Sequence, residues 1–183
     1  MKPVVCVTLA LLVLVGSSLA GQDSTKAKYD NSTVYLEKVT AKPGEHFAVK
    51  VYLFNTDTLA GLQVPIFYRA ENINLYCDSL SLLGSRCEYM MFNDVKIPEG
   101  DKIVYFSFIN TIDPKQFIDP LPPGDGLLAT IYFTAPKDSK EGEVKLARGM
   151  IEHPHISYTF ALWDKIGGEV NSTFEDGIIT IKK

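Results

Sequence analysis

Two histidines separated by a single residue are the first candidate for metal chemistry in this sequence. His153 and His155 flank Pro154, and in an extended segment side chains two residues apart lie on the same face. Neutral imidazoles at that spacing suit a transition-metal ion. The sequence shows no third ligand, so a proline-stiffened loop with two solvated histidines stays open as the alternative.

Carboxylates in the stretch 110–125 are the second candidate. Asp113, Asp119 and Asp125 carry the hard oxygen atoms that Ca²⁺ prefers. Two of the three precede a proline, where an aspartate side chain also caps a turn, and the charge of Lys115 opposes a cation. A structural Ca²⁺ ion and a set of turn caps are both open, and no other cofactor is predicted.

Signatures of the common enzyme classes are missing from the sequence. It has no Gly-x-Ser-x-Gly elbow, His-Glu-x-x-His helix, phosphate-binding glycine loop or dinucleotide fingerprint. Nothing selects, from 22 Asp and Glu residues, the pair of carboxylates that glycoside hydrolysis needs. We expect a non-catalytic protein.

The charge balance excludes one class of partner. The 183 residues include 18 Lys and Arg against 22 Asp and Glu, a net charge of −4, and contain no basic run that would track a phosphate backbone. Binding to nucleic acid is therefore not expected. With 46% hydrophobic and 22% charged residues, the composition is typical of a folded domain.

Residues 1–20 have the layout of a secretory signal peptide. A lysine gives a positive start, residues 4–15 are almost entirely apolar, and small residues precede a cleavage site after Ala20. The apolar stretch is shorter than the roughly 20 residues of a spanning helix. We predict a secreted protein, extracellular or periplasmic, with no membrane span after signal removal. Residues 21–29 are predicted to be a flexible leader and residues 30–183 a single domain.

Two cysteines remain once the signal peptide and its Cys6 are removed. In an oxidising compartment, Cys77 and Cys87 predict a disulfide. It would tie two adjacent strands close to their connection. A metal pair or a reactive thiol is the alternative, but both require a neighbouring histidine or a more basic surrounding than the sequence offers.

Hydrophobic residues recur with a period of two along most of the chain, and turn residues punctuate them. This pattern predicts short strands and an all-β sandwich or jelly roll. No stretch has a convincing helical period. The candidate strands are 33–39, 46–54, 60–68, 73–82, 86–92, 102–109, 126–135, 142–147, 156–162 and 174–182.

Alternation also assigns an inner and an outer face to three of these strands. If they share one sheet, its outer face carries aromatic rings and few charges, which is typical of a partner surface. Alternatively, the rings are singly exposed or covered by the 110–125 stretch. The predicted inner rows are Leu62, Val64, Ile66 and Tyr68; Val104, Phe106 and Phe108; and Ala129, Ile131 and Phe133. The predicted binding patch is Gln63, Phe67, Tyr105, Ser107, Thr130 and Tyr132.

Four segments, taken in order, resemble cohesin domains. They are Lys42-Pro43-Gly44-Glu45 ahead of a strand, the strand 59–68, the stretch 125–133 followed by Glu141-Gly142, and the closing 174–181. The resemblance covers nearly the whole chain after the signal. It implies a nine-stranded antiparallel jelly-roll β-sandwich, shared with certain carbohydrate-binding modules, and a bacterial source.

The resemblance also implies a binding role without catalysis. Cohesins hold the dockerin modules of secreted enzymes through the outer face of one sheet, where the strand ending in the matched Tyr68 usually carries an Asn and an Asp. In this sequence Gly61 and Gln63 take those positions, so the usual polar pair is missing. A protein partner, dockerin-type or another secreted protein, is expected at the predicted patch. A polysaccharide ligand, which would stack on aromatic rings, and a purely structural extracellular role are the alternatives.

Overall fold

Buried and exposed side chains alternate along the long strands, because each strand turns one row of side chains to a shared apolar core. In the computed structural model, the described residues are 29–70, 72–90, 94–97, 102–109, 119–153 and 156–183. Within these ranges the chain forms strands and turns and no helix. None of these residues therefore belongs to a helix long and apolar enough to span a membrane.

The described ranges contain fourteen strands, most of them short. They are β1 (Ser32–Leu36), β2 (Val39–Ala41), β3 (His46–Asn55), β4 (Leu59–Arg69), β5 (Tyr76–Ser81), β6 (Asp94–Lys96), β7 (Ile103–Ile109), β8 (Gly124–Thr134), β9 (Gly142–Arg148), β10 (Met150–His153), β11 (Ile156–Thr159), β12 (Ala161–Asp164), β13 (Ser172–Glu175) and β14 (Gly177–Ile181).

The first sheet has the order β13-β1-β3-β8-β5. Its centre is the long antiparallel pair β3 and β8, which starts at His46 opposite Thr134 and contains a bulge after Val51. β1 pairs with β3 in the antiparallel sense and with β13 in the parallel sense. The sheet is therefore mixed at one edge.

The second sheet has the order β2-β14-β9-β4-β7-β6, with β12 also paired to β4. β9 and β12 lie along the same edge of β4, one beside residues 66–69 and the other beside residues 59–63. The chain between them leaves the sheet as the β10–β11 hairpin. This hairpin interrupts what would otherwise be one continuous strand.

The core lies between the inner faces of the two sheets. Every residue of the three inner rows predicted above is buried, and all of them belong to one apolar cluster. The inner-face prediction is thus confirmed. The all-β sandwich is confirmed as well, although it has more and shorter strands than nine and includes two parallel pairs, β1 with β13 and β2 with β14.

Several predicted strands differ from the structure. The predicted strand 174–182 is divided at Asp176 into β13 and β14, which join different sheets, and the predicted strand 33–39 ends at Leu36. The predicted strand 156–162 is divided at Phe160 into β11 and β12. Residues 86–89 form turns instead of starting a strand. The turn is favoured because the side chain of Arg86 points into the sandwich edge and binds main-chain oxygens there.

Arg86 joins the end of β3 to the start of β8. Its Nη1 donates to the Leu53 carbonyl at 3.0 Å, the Asn55 Oδ1 at 2.7 Å and the Gly124 carbonyl at 3.1 Å. Its Nη2 donates to the Pro122 carbonyl at 2.6 Å. Burial lowers the pKa of Arg86, and the four acceptors compensate for the charge that burial removes from water.

Replacing Arg86 tests this role. We expect Arg86→Ala to lower the free energy of unfolding by about 2–4 kcal/mol, because charge-assisted bonds are lost and carbonyls keep no partner. Arg86→Lys should recover only part of the loss, since an ammonium cannot reach four acceptors in this geometry. The measurement is urea unfolding, with exposed Arg148→Ala as the control. Equal effects for Arg86→Ala and Arg148→Ala would contradict the assignment.

The predicted disulfide is wrong for this structure, which has Cys77 and Cys87 as free thiols. Cys77 lies on β5, opposite Phe133 of β8. Cys87 lies in the turn after β5 and is 1% exposed. The prediction required residues 86–92 to form a strand beside β5, and the turn does not provide that neighbour.

Burial raises the pKa of both thiols to about 12. For Cys77 the charge of Asp78 adds to this effect. The folded chain holds these protons more tightly than the unfolded chain. The free energy of unfolding therefore falls as the pH rises from about 9 towards 12, because the unfolded thiols lose their protons first.

Alkylation under non-reducing conditions tests the state of the cysteines. The unfolded chain from residue 21 onward should take up two iodoacetamide groups, whereas the folded chain at pH 9 should react slowly because its thiolates are rare. Intact mass spectrometry gives the count. A chain that takes up none after unfolding would contain the disulfide and contradict the structure.

Candidate functional site

The six residues of the predicted patch lie on two different sheets. Gln63 and Phe67 belong to β4, and Tyr105 and Ser107 belong to β7, both in the second sheet. Thr130 and Tyr132 belong to β8 in the first sheet. Their outer faces point to opposite sides of the sandwich. The structure therefore does not bring the six residues together.

The outer face of the second sheet is covered where the aromatic patch was predicted. Tyr105 is 1% exposed and Ser107 is 7% exposed. The ring of Tyr158, on the β10–β11 hairpin, packs edge-on against Tyr105 at 4.7 Å between centroids. The expectation of an open aromatic surface here is wrong, because the hairpin covers it. Residues 110–118 of the stretch proposed as a cover lie outside the described residues.

Phe67 and Gln63 lie on the same outer face but are only half-buried. A Cβ atom at Gly149, at the base of the hairpin, would lie 2.8 Å from Phe67 Cδ2. The Arg69 guanidinium lies 4.6 Å from the Phe67 ring centroid. Residues of its own chain thus cover part of this ring.

Trp163 on β12 occupies the face beside Gly61. The two residues are cross-strand partners, and a Cβ atom at Gly61 would lie 3.2 Å from Trp163 Cε3 and 3.3 Å from the Phe108 carbonyl oxygen. Leu162, which precedes Trp163 on β12, faces the core. Trp163 therefore packs over a glycine, which explains why no larger polar residue occupies that position of β4.

Gly61→Asn tests this packing. We expect a loss of about 1–3 kcal/mol in the free energy of unfolding, because the new side chain displaces the indole. The smaller Gly61→Ala should cost less in a Trp163→Ala background than in the natural chain, as a double-mutant cycle would measure. Additive costs in that cycle would show that the ring does not restrict Gly61.

The outer face of the first sheet carries four aromatic rings in contact. We call Tyr29, Tyr35, Tyr52 and Phe54 the tyrosine face. Tyr35 stacks on its cross-strand partner Tyr52 with centroids 5.2 Å apart and an interplanar angle of 12°. Tyr29 lies 5.3 Å from the Tyr35 ring and 6.0 Å from the Phe54 ring. All four side chains are half-buried and reach solvent.

Two carboxylates belong to the same surface. Tyr35 donates its hydroxyl to Asp125 Oδ1 at 2.8 Å, and Tyr29 donates to Glu175 Oε2 at 2.6 Å. Burial raises the pKa of Tyr35, and the hydrogen bond to Asp125 and its charge raise it further. The tyrosine face therefore presents aromatic carbon flanked by negative charge.

Sequence reasoning missed this surface. Tyr35 and Tyr52 both fall on outward positions of predicted strands, and their alternation with Val34, Val51 and Leu53 carried the signal. Tyr29 was assigned to a flexible leader. Which strands are neighbours, and hence which rings meet, does not follow from alternation within each strand.

The predicted metal ligands are not gathered into a site among the residues that the structure describes. No group of three or more His, Cys, Asp or Glu side chains there can hold a metal ion. Asp125 accepts from Tyr35 and Asp119 is exposed. Asp113, His155 and the side chain of His153 lie outside the described residues, as do the signal peptide and Ala20. The calcium and transition-metal sites stay predictions.

A cleft of about 490 Å³ opens at the far end of the first sheet from the tyrosine face. Exposed polar side chains from β3 and β5 form its walls, and Tyr132 of β8 stands beside them. Thr130 lies two residues away on the same outer row and is half-buried. The cleft is lined by His46, Phe47, Ala48, Asp78, Ser79, Tyr132 and Phe133.

Solved structures similar to this one are cohesin domains. The cohesin of a type I cohesin–dockerin complex from Clostridium thermocellum is 20% identical with a TM-score of 0.66, and the match covers 84% of this chain and 100% of that one. A non-cellulosomal cohesin from the hyperthermophilic archaeon Archaeoglobus fulgidus is 17% identical with a TM-score of 0.61, covering 84% and 92%. No protein-family model and no curated protein matches the sequence.

A third example is the sixth cohesin of scaffoldin B from Acetivibrio cellulolyticus, solved with a dockerin. It is 15% identical with a TM-score of 0.62, and the match covers 83% of this chain and 99% of that one. Identities this low are informative about architecture alone. The architecture agrees with the resemblance seen in the sequence, and the chain has the cohesin fold.

Proposed function

We propose that this chain is a secreted, non-catalytic protein-binding module that engages its partner through the tyrosine face. The fold supports a binding role, since the similar cohesins from Clostridium thermocellum and Acetivibrio cellulolyticus were solved in complexes with dockerins. The predicted signal peptide supports secretion. Function does not follow from a fold, so the surface must carry the proposal.

The observation that carries it is the difference between the two outer faces. On the second sheet, Tyr105 is buried under the hairpin and Gly61 lies beside Trp163. On the first sheet, the tyrosine face joins four rings into one partly exposed apolar area. Contiguous aromatic surface of this kind is enriched at protein interfaces, where tyrosine is a frequent anchor.

Charge defines the chemistry of the partner. Asp125 and Glu175 border the rings, and the whole chain is acidic. A partner surface with lysine or arginine next to apolar side chains would complement both features. We therefore expect a secreted protein with a basic patch, in which cationic groups meet the carboxylates and apolar groups cover the rings.

Ring stacking argues against a polysaccharide on this particular face. A sugar ring needs the exposed flat side of an aromatic ring. Tyr35 has ring neighbours at 5.2 Å and 5.3 Å, so its flat sides are largely taken by Tyr52 and Tyr29. The Tyr35 and Tyr29 hydroxyls already donate to Asp125 and Glu175, so the surface offers ring carbon and carboxylate oxygen, which suits side-chain packing and ion pairing with a protein.

A double substitution tests the proposal. The natural chain is used to identify a partner among the secreted proteins of its host by cross-linking, and the purified partner is titrated by calorimetry. We expect Tyr35→Ala with Tyr52→Ala to weaken binding at least tenfold, about 1.4 kcal/mol or more. Raising the salt concentration should weaken binding of the natural chain, because charge complementarity is screened.

The matched control is Gln63→Ala on the opposite sheet, which should bind as the natural chain does. Circular dichroism confirms that each variant is folded. A type I dockerin serves as a comparison partner. The proposal fails if the tyrosine variant binds normally while Gln63→Ala does not.

A further inference from the structure

A second surface of the first sheet has different chemistry from the tyrosine face. In the cleft at the end of β3, β5 and β8, the ring of Tyr132 is 43% exposed. Among the described residues, no aromatic ring packs against it. Nearly half of the surface of this aromatic residue is thus accessible next to polar side chains.

Three of those polar side chains form a connected set. Thr134 Oγ1 lies 2.6 Å from Asp78 Oδ2 and 2.6 Å from His46 Nδ1. A carboxylate only accepts, so the single threonine proton goes to Asp78. Thr134 must then accept from His46, which places a proton on Nδ1. Thr134 therefore fixes the orientation of both the imidazole and the carboxylate.

The orientation of these side chains leaves hydrogen-bonding atoms of His46 and Asp78 available to the hydroxyl groups of a ligand. His46 Nε2 accepts a hydrogen bond when the ring is neutral, and Asp78 keeps a second carboxylate oxygen. The two side chains are 79% and 41% exposed, and Ser79 on the same wall is exposed as well. A ligand with several neighbouring hydroxyls, each both donor and acceptor, could satisfy all of them.

We propose that this cleft is a binding site for a neutral saccharide. Tyr132 supplies the stacking platform, and Asp78, His46 and Ser79 hydrogen-bond the sugar hydroxyls. Ala48, the partner of Tyr132 on the outer face of β3, lies at the floor between them. A volume of about 490 Å³ lies within the range of small-ligand sites. A carboxylate in the wall disfavours uronic acids, so the sugar is uncharged.

The position of the cleft separates this site from the proposed protein interface. Tyr132 lies opposite Ala48 on β3, whereas the tyrosine face includes Tyr52 and Phe54 at the other end of that strand. The saccharide site thus does not depend on the proposed function, and each can fail without the other.

Binding to defined oligosaccharides tests the site. The full chain without its signal peptide is titrated with cellohexaose, xylohexaose, mannohexaose and laminarihexaose, and with polygalacturonic acid as the charged comparison. Amide chemical shifts of the isotope-labelled protein report where each one binds. We expect shifts at β3, β5 and β8 around the cleft with at least one neutral hexasaccharide and none with the polyanion.

Variants then assign the groups. Tyr132→Ala should weaken binding at least tenfold, Tyr132→Phe should retain it because the ring stays, and Asp78→Asn should weaken it severalfold. Tyr52→Ala, in the tyrosine face, is the matched control and should bind the sugar normally. Melting temperatures show that the variants are folded, as expected for exposed positions.

Three results would overturn the proposal. The first is the absence of any amide shift with all four neutral hexasaccharides at a concentration of about 10 mM. The second is sugar binding that Tyr132→Ala and Asp78→Asn leave unchanged. The third is tighter binding of polygalacturonic acid than of the neutral sugars. Loss of sugar binding in Tyr52→Ala with normal binding in Tyr132→Ala would likewise move the site away from the cleft.

Discussion

Burial of the inner rows between two sheets is the constraint on which the other features depend. Val49, Val51 and Leu53 of β3 face Ile66, Val104 and Phe106 of the opposite sheet in a single apolar core. Because side chains alternate along a strand, this burial determines which residues point outward. The outward rows of the two sheets have different residues. Tyr35 and Tyr52 lie on the outer face of the first sheet, and Gly61, Gln63 and Tyr105 lie on the outer face of the second.

The outer face of the second sheet is partly covered by the chain, whereas the outer face of the first sheet keeps exposed aromatic rings. On the second sheet the strand line from β9 to β12 is interrupted, and the excursion returns as a hairpin whose Tyr158 packs on Tyr105. The resemblance to cohesins implies that partners bind on the sheet that contains β4. In this protein that face is partly occupied, and Gly61 accommodates Trp163 where the family usually has a polar residue. The first sheet keeps its aromatic surface accessible.

Arg86 shows how one side chain holds the edge of the sandwich together. Its guanidinium binds the carbonyls of Leu53 in β3, of Gly124 at the start of β8 and of Pro122 just before it. A Cβ at Gly126 would lie 2.9 Å from its Cδ. The same interaction converts residues 86–89 into a turn, which removes the strand that the cysteine prediction required. The hydrogen bonds of Arg86 to distant segments thus favour the turn at residues 86–89.

Much of the architecture could be predicted from sequence, but the site could not. Residues such as Val64, Phe106 and Ile131 reveal their inward orientation by alternation alone, and the order of the cohesin-like segments predicted the sandwich. The grouping of Thr130 and Tyr132 with Tyr105 failed because alternation within a strand carries no information on which sheet the strand joins. Likewise, residues 156–162 read as one strand, since the break at Phe160 arises from a tertiary hairpin. Tyr29 was missed because its polar surroundings resemble a leader, whereas its contacts with Tyr35, Phe54 and Glu175 come from segments distant in sequence.

The central claim is that partners bind the tyrosine face and leave the hairpin-covered sheet free. Hydroxyl-radical footprinting of the complex measures this directly, because tyrosine and tryptophan side chains react in proportion to their exposure. We expect partner binding to protect Tyr35 and Tyr52 from oxidation while Trp163 reacts as in the free protein. Protection of Trp163 with unchanged reactivity of Tyr35 and Tyr52 would contradict this mode of binding.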